Sequence, residues 1–181
     1  MSTDVNDQSW SDVTGLRVSG VDLEPSNPAA WSDVMKLSHA TDCQFTGGVV
    51  DGGSENAIDM NRMCSDIVVQ DFKLIGGQQA AVVVKGGCKN ITLSSIVITP
   101  DSKAWTDILL DDWSAKSRAS SELHLENVTR TDGMPVRVVF GRFHRPQIAR
   151  CQIETLWFTS IALHFYNLGK DLLVALRLCK P

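Results

Sequence analysis

What the chain lacks narrows its class. No stretch of about 18 apolar residues occurs, so no segment reads as a membrane-spanning helix. There is no excess of positive charge. Lys and Arg number 17 against 21 Asp and Glu, a formal net charge of −4, whereas a general nucleic-acid binder carries a basic footprint. The five cysteines, Cys43, Cys64, Cys88, Cys151 and Cys179, are odd in number and contain no Cys-x-x-Cys pair. That disfavours a zinc ribbon and favours small buried thiols kept reduced. His39, His124 and His164 show no metal-ligand spacing, and the paired glycines lie between apolar pairs rather than ahead of a helix, so no phosphate loop is present. The reading is therefore of no metal, no cofactor, no nucleic acid and no membrane. The opening MSTDVNDQSW lacks the basic and apolar regions of a secretory signal. Cytoplasm, virion or export by another route is the expectation.

What is there is a repeat. With 181 residues, 43% hydrophobic and 21% charged, the chain suits one domain with a substantial core. CQFTGGVVDGG begins at Cys43, CSDIVVQDFKLIGG at Cys64 and CKNITLSSIVITP at Cys88. Apolar pairs align between the lines: Phe45 and Gly47, Ile67 and Val69, Ile91 and Leu93, then Phe72 and Leu74, Ile96 and Ile98. Leu16, Val18, Val21 and Leu23 show the same pattern earlier. Apolar residues two apart mean strands, and the two-residue break between pairs means a bend. A third short strand follows each line: Met35 and Leu37, Ile58 and Met60, Val82 and Val84, Ile108 and Leu110, Val136 and Val138, Ile161 and Leu163. Its second members step by 23, 24, 26, 28 and 25 residues. Such a period means a solenoid, and β-branched strands without a Leu-x-x-Leu-x-Leu line point away from leucine-rich repeats. Asp66 and Asn90, each two residues after a cysteine, fall at matching turns, where Asn and Asp tolerate left-handed backbone. The expected fold is all-β, a right-handed single-stranded parallel β-helix of about six rungs. In it Cys43, Cys64 and Cys88 would stack as a packing ladder.

This repeat resembles the right-handed parallel β-helix of the pectate-lyase-like superfamily over about Leu16–Leu178. Residues 1–15 read as a polar leader or cap and 16–181 as the β-helix domain. Long loops interrupt it at 99–107 and 111–122, flanking Ile108–Leu110. Lys170–Leu178 reads as a last strand, alternating Leu172, Val174, Leu176 and Leu178, or as an amphipathic cap helix. The resemblance implies polysaccharide lyases, glycoside hydrolases, tailspikes or catalytically silent modules, and fold alone does not choose among them. Likeness to tailspike domains implies a viral structural role in a phage-like particle or surface assembly, and a homo-oligomer, with a trimer among the options.

Two constellations carry the functional expectations. Outward positions of the third strand give one column of Lys36, Asp59, Val83, Leu109 and Arg137, and a second of Ser38, Asn61, Lys85, Asp111 and Val139. As catalysts the candidates are Asp111 and Asp112, with Asp59 or Lys85 in support. Asp111 and Asp59 would lie two rungs apart, on the order of 10 Å, at or beyond the limit for an inverting glycosidase. Asp111-Asp112 in LDDW resembles the paired Asp of polygalacturonases, but the companion Asn-Thr-Asp, Gly-His-Gly and Arg-Ile-Lys segments are missing. Arg142-Phe-His-Arg145-Pro146 only approximates the pectate-lyase Arg-x-Pro-x-x-Arg line. The second constellation is Trp105 and Trp113 in the two loops, where indole faces could stack on sugar rings. Lys103, Lys116, Arg118, Asn61 and Arg137 complete the ligand-binding candidates, and a glycan or polysaccharide is the expected partner. Plainer readings are a solvated polar face for the aspartates and local or subunit packing for the indoles. Arg142, His144, Arg145 and Arg150 form a basic cluster best read as ordinary surface or subunit contact. The leading reading is a non-catalytic structural or glycan-binding module. The alternatives are a lyase or hydrolase acting on an acidic polysaccharide and a purely structural solenoid.

Overall fold

The computed structural model describes residues 8–25, 32–52, 55–104, 106–110, 120–140 and 147–157. Among them there is no helix; the elements are strands that stack in parallel as a β-solenoid of about five turns. One sheet is built of β1 (Gln8–Ser11), β3 (Met35–Ser38), β5 (Asn56–Asn61), β7 (Ala80–Val84), β10 (Ile108–Leu110), β13 (Val136–Phe140) and β15 (Ile153–Trp157), in that spatial order. The second sheet takes the longer segments: β2 (Arg17–Leu23), β4 (Thr41–Asp51), β6 (Ser65–Ile75), β8 (Lys89–Ser94) with β9 (Val97–Thr99), β11 (Ser121–Glu126) with β12 (Thr129–Arg130), and β14 (Gln147–Ala149). Each pairs in parallel with its counterpart one coil on.

Alternation puts one apolar set between the sheets. Met35, Ile58, Val82 and Ile108 align across coils, as do Leu37, Met60, Val84 and Leu110. In the second sheet Phe45, Val69, Leu93 and Leu125 align. All twelve are buried. Trp10 joins them, its ring centroid 5.2 Å from Phe45.

The corners are ladders of left-handed residues. Gly20, Gly47, Asp71, Ser95, Asn127 and Arg150 each follow aligned positions of the second sheet, and all have φ between 52° and 68°. This is the bend between apolar pairs. It divides β8 from β9 and β11 from β12, whereas β4 and β6 run through it. Gly15, Asp42, Asp66, Asn90 and Glu122 form a second ladder. Asn90 Nδ2 donates to Asp66 Oδ1 at 2.7 Å, so that corner is tied from coil to coil.

The pairing departs from the spacing in three places. Leu110 pairs with Phe140, not Val138. A two-residue shift keeps every side chain on the same face, so apolar periodicity alone cannot choose between the two. The strand after β13 is β15, with Val138 opposite Thr155. That step is only 17 residues, and Ile161 and Leu163, expected there, lie outside the described residues, as does 170–178. Finally, Cys43 is not in the cysteine ladder. It faces Ile67, while Cys64 and Cys88 precede the aligned Ser65 and Lys89. The first of the three cysteine lines starts three positions further along its coil than the other two.

Close packing of coils has a local requirement at Gly48, which lies between Val21 and Phe72 in the pairing. A Cβ there would sit 1.9 Å from the Val21 carbonyl oxygen. Gly47 has no such neighbour, and Asp71 occupies its equivalent one coil on. Urea denaturation should therefore find Gly48→Ala strongly destabilising and Gly47→Asn close to neutral. Phe72→Ala, deleting a buried ring, should cost about 3–5 kcal/mol. Equal effects at the two glycines would contradict the corner assignment.

Candidate functional site on the outer face of the first sheet

Three predicted residues come together here. Asp59 and Asn61 are two apart on β5, and so project from the same face. Lys85 follows Val84 at the position opposite Asn61 on the next coil. Asp59 is buried, yet its carboxylate meets two ammonium groups: Lys85 Nζ lies 3.0 Å from Oδ1 and Lys36 Nζ 3.5 Å from Oδ2. Asn61 Nδ2 donates to Asp59 Oδ2 at 2.8 Å. Lys36 is also 2.8 Å from Asp33 Oδ2. Asn56 Nδ2 donates to Asp33 Oδ1 at 2.7 Å and to Gln79 Oε1 at 3.0 Å. A polar chain thus crosses three coils from Gln79 to Lys85. The Oδ1 atoms of Asn56 and Asn61 are buried without a hydrogen-bond partner among the described residues.

Electrostatics follow from this geometry. Burial pushes the Asp59 carboxyl above its ordinary range, and the nearby Asp33 charge adds to that; Lys85 and Asn61 pull the other way without cancelling it. Burial alone would lower the Lys36 ammonium, but Asp33 and Asp59 outweigh it and hold it above the usual lysine range. The Lys36 ammonium lies between the two carboxylates. A sugar or an attacking water cannot occupy the same gap, which both routes of carboxylate-catalysed glycoside hydrolysis leave free.

Arg137 is elsewhere. It lies opposite Asp107, because Leu109 pairs with Val139. The Asp59 column therefore continues through Val83, Leu109 and Val139, and Arg137 is three coils from Asp59, on the order of 14 Å along the stack. Ala80, Val83, Leu109 and Val139 form a small buried apolar cluster of their own, which separates the Asp59 cluster from Arg137 along this face.

Around Asp107 is a second network. Arg137 Nη2 lies 3.2 Å from Oδ1; Arg130 Nη1 at 3.0 Å and the Arg137 backbone N at 2.8 Å meet Oδ2. Arg130 also reaches Asp132 at 2.6 Å. The hydrogen bond to Asp132 leads the influences holding Arg130 above its ordinary range, with Asp107 acting the same way against burial. Every oxygen of Asp107 is engaged, which fits a clamp between coils. Sequence reasoning missed Arg130. It occupies the inward column of Leu23, Val50, Leu74 and Ile98, and a charge at that step was the available signal. Asp33 and Asn56 were missed too, although each stands two residues before the strand pair that defines its coil.

Of the other candidates, Lys103 is exposed in the turn after β9, its backbone N bonded to Asp101 Oδ1 at 2.6 Å. Arg150, of the expected basic cluster, lies exposed 3.6 Å from Glu126. Trp105, Asp111, Asp112, Trp113, Lys116, Arg118, Arg142, His144 and Arg145 lie outside the described residues. Among the described residues no group of three His, Cys, Asp or Glu is placed to hold a metal ion. The chain matches no protein-family model, no curated protein and no solved structure.

Two measurements check these assignments. Arg130→Met should destabilise the fold by about 3–5 kcal/mol, since it leaves a buried carboxylate short of a partner. Asp59 keeps its proton to higher pH folded than unfolded. The folded state therefore binds more protons between the ordinary carboxylate range and the folded value, and stability falls as pH rises through that window. Asp59→Asn lacks this slope. The unfolding free energy of the parent minus that of the variant should decrease from acid toward neutral pH; a rising difference would contradict the assignment.

Proposed function

We propose that the chain is a non-catalytic β-solenoid module that binds a glycan on its polar outer face. One observation carries the non-catalytic part. Asp59 is buried and clamped by Lys36 and Lys85, and the space between it and Asp33 is filled by an ammonium rather than open to a substrate. A general acid or base needs access to the proton it moves, and this carboxylate has none while both lysines stay in place.

The glycan part rests on the form of the face. Strand pairing holds the partly exposed Lys36 and Lys85 on a rigid lattice, ~4.8 Å between coils and ~7 Å between alternate residues of one strand. Polar groups at those spacings suit the hydroxyls of neighbouring sugars. Trp105 and Trp113, with Lys103, Lys116 and Arg118, would supply the stacking platform. The likeness of the repeat to the pectate-lyase-like superfamily supports the same reading, and its tailspike members support a role in a phage-like particle or surface assembly as an oligomer.

A glycan array tests this with four chains: the parent, Trp105→Ala, Trp113→Ala and Lys85→Ala. The parent should bind a defined set, the tryptophan variants should lose roughly tenfold or more for stacking worth ~1.4 kcal/mol, and the Lys85 variant should weaken the same set. Signals unchanged by every substitution would remove the proposed surface. Incubation with acidic polysaccharides should release neither reducing ends nor unsaturated products. Turnover abolished by Asp111→Asn would replace this reading with the lyase or hydrolase one.

A further inference from the structure

Cys64 and Cys88 face each other on neighbouring coils. Ser65 pairs with Lys89, and the Lys89 backbone N donates to the Cys64 carbonyl at 2.8 Å. The two cysteine Cα atoms are therefore one strand spacing apart, ~4.8 Å, within the range of roughly 4.4–6.8 Å that a disulfide tolerates. The side chains also point the same way. Cys64 Sγ contacts the Asn61 carbonyl at 3.1 Å, and Cys88 Sγ the Lys85 carbonyl at 3.0 Å, each three residues back. Cys43 has no thiol opposite it, since it faces Ile67. Cys151 lies by Val128, whose N–H points to its sulfur at 3.2 Å.

We propose that Cys64 and Cys88 are a redox site, closed to an intrachain disulfide by a low-molecular-weight disulfide such as oxidised glutathione. The Cys64 thiolate attacks one sulfur of the oxidant, forming a mixed disulfide and expelling one thiolate. The Cys88 thiolate then attacks Cys64 Sγ, forming the Cys64–Cys88 bond and expelling the second. The protein loses two protons and two electrons; the oxidant leaves as two thiols. Cys64 attacks first because the left-handed Arg62–Met63 corner, where the oxidant enters, directly precedes it. A hydrogen bond from Cys88 lowers the Cys64 thiol, and the same contact together with burial raises Cys88.

Both thiols are buried, so the oxidant enters by local opening, and the corner beside Cys64, though hydrogen-bonded to His39 and Gly86, carries strain that favours it. Arg62 and Met63 are consecutive left-handed residues, φ 53° and 63°, where the next coil uses Gly86 and Gly87. Each non-glycine residue there costs roughly 1–2 kcal/mol, and the Met63 side chain is already half-exposed. Opening this one corner releases strain that the glycine corner does not hold.

The full chain, incubated with oxidised glutathione and mapped by non-reducing peptide mass spectrometry, should yield a Cys64–Cys88 cross-linked peptide pair. Two of its five thiols should be lost and then recovered on reduction. Cys43→Ser should leave the cross-link unchanged, and Cys88→Ser should stop at glutathione on Cys64. Arg62→Gly/Met63→Gly should slow closure severalfold. Persistence of all five thiols, or pairing of Cys64 with any other cysteine, would overturn the proposal. The parent's peptide map and the Cys43→Ser chain decide the matter even if the Cys88 variant does not fold.

Discussion

Everything in this molecule depends on coil-to-coil pairing held in register. A parallel solenoid gives each strand's main-chain groups partners only in the coils before and after it, and unpaired buried amides are costly. A slip of one residue would turn the apolar columns out to solvent. The corners prevent it. Twelve described residues other than glycine have positive φ, and most lie in aligned sets at the same bends. Each is locally unfavourable, by roughly 1–2 kcal/mol, and each is held because the strands on both sides are paired. Local strain and long-range pairing thus enforce one another, and this is why Asp, Asn and Gly gather at matching places.

The polar sites follow from the same frame. An outward residue meets its counterparts one coil away at strand spacing, so charges placed anywhere near one column are forced together. Asp59 meets Lys36 and Lys85 in this way, and Asp107 meets Arg137. Both carboxylates are buried and both are compensated. They differ in what remains. Asp107 is saturated by two guanidinium groups and a backbone amide, whereas the Asp59 cluster keeps a partly exposed lysine pair and the unmatched Asn61 oxygen.

Much of the fold was legible because burial alternates with period two. Met35, Leu37, Ile58, Met60, Val82, Val84, Ile108 and Leu110 could be assigned to aligned columns from spacing alone, and Asp66 and Asn90 marked their corner. Legibility failed where spacing carries no information. Leu110 could pair with Val138 or Phe140 without changing which side chains are inside. Cys43 shares its residue type with Cys64 and Cys88 but not their place in the coil, and identity of residue outweighed register. Of the polar sites, Asp59, Asn61 and Lys85 were found because they fall in outward columns of one strand position. Asp33, Asn56 and Arg130 were not: the first two stand ahead of the apolar pairs that mark their coils, and Arg130 sits in an otherwise apolar inward column.

The straight outer columns also make the protein its own ruler. Gln44, Val68, Thr92 and His124 stand opposite one another along the second sheet, one per coil, so distances along the row rise in nearly equal increments of ~4.8 Å. Any pair of probes attached there has a separation fixed by counting rather than by fitting. The long connections between coils do not enter that count: the chain between Val68 and Thr92 is 24 residues and between Thr92 and His124 is 32, yet both span one increment. Contour length and spatial position are decoupled, and a segment can be lengthened at a corner without moving a single mark on the scale.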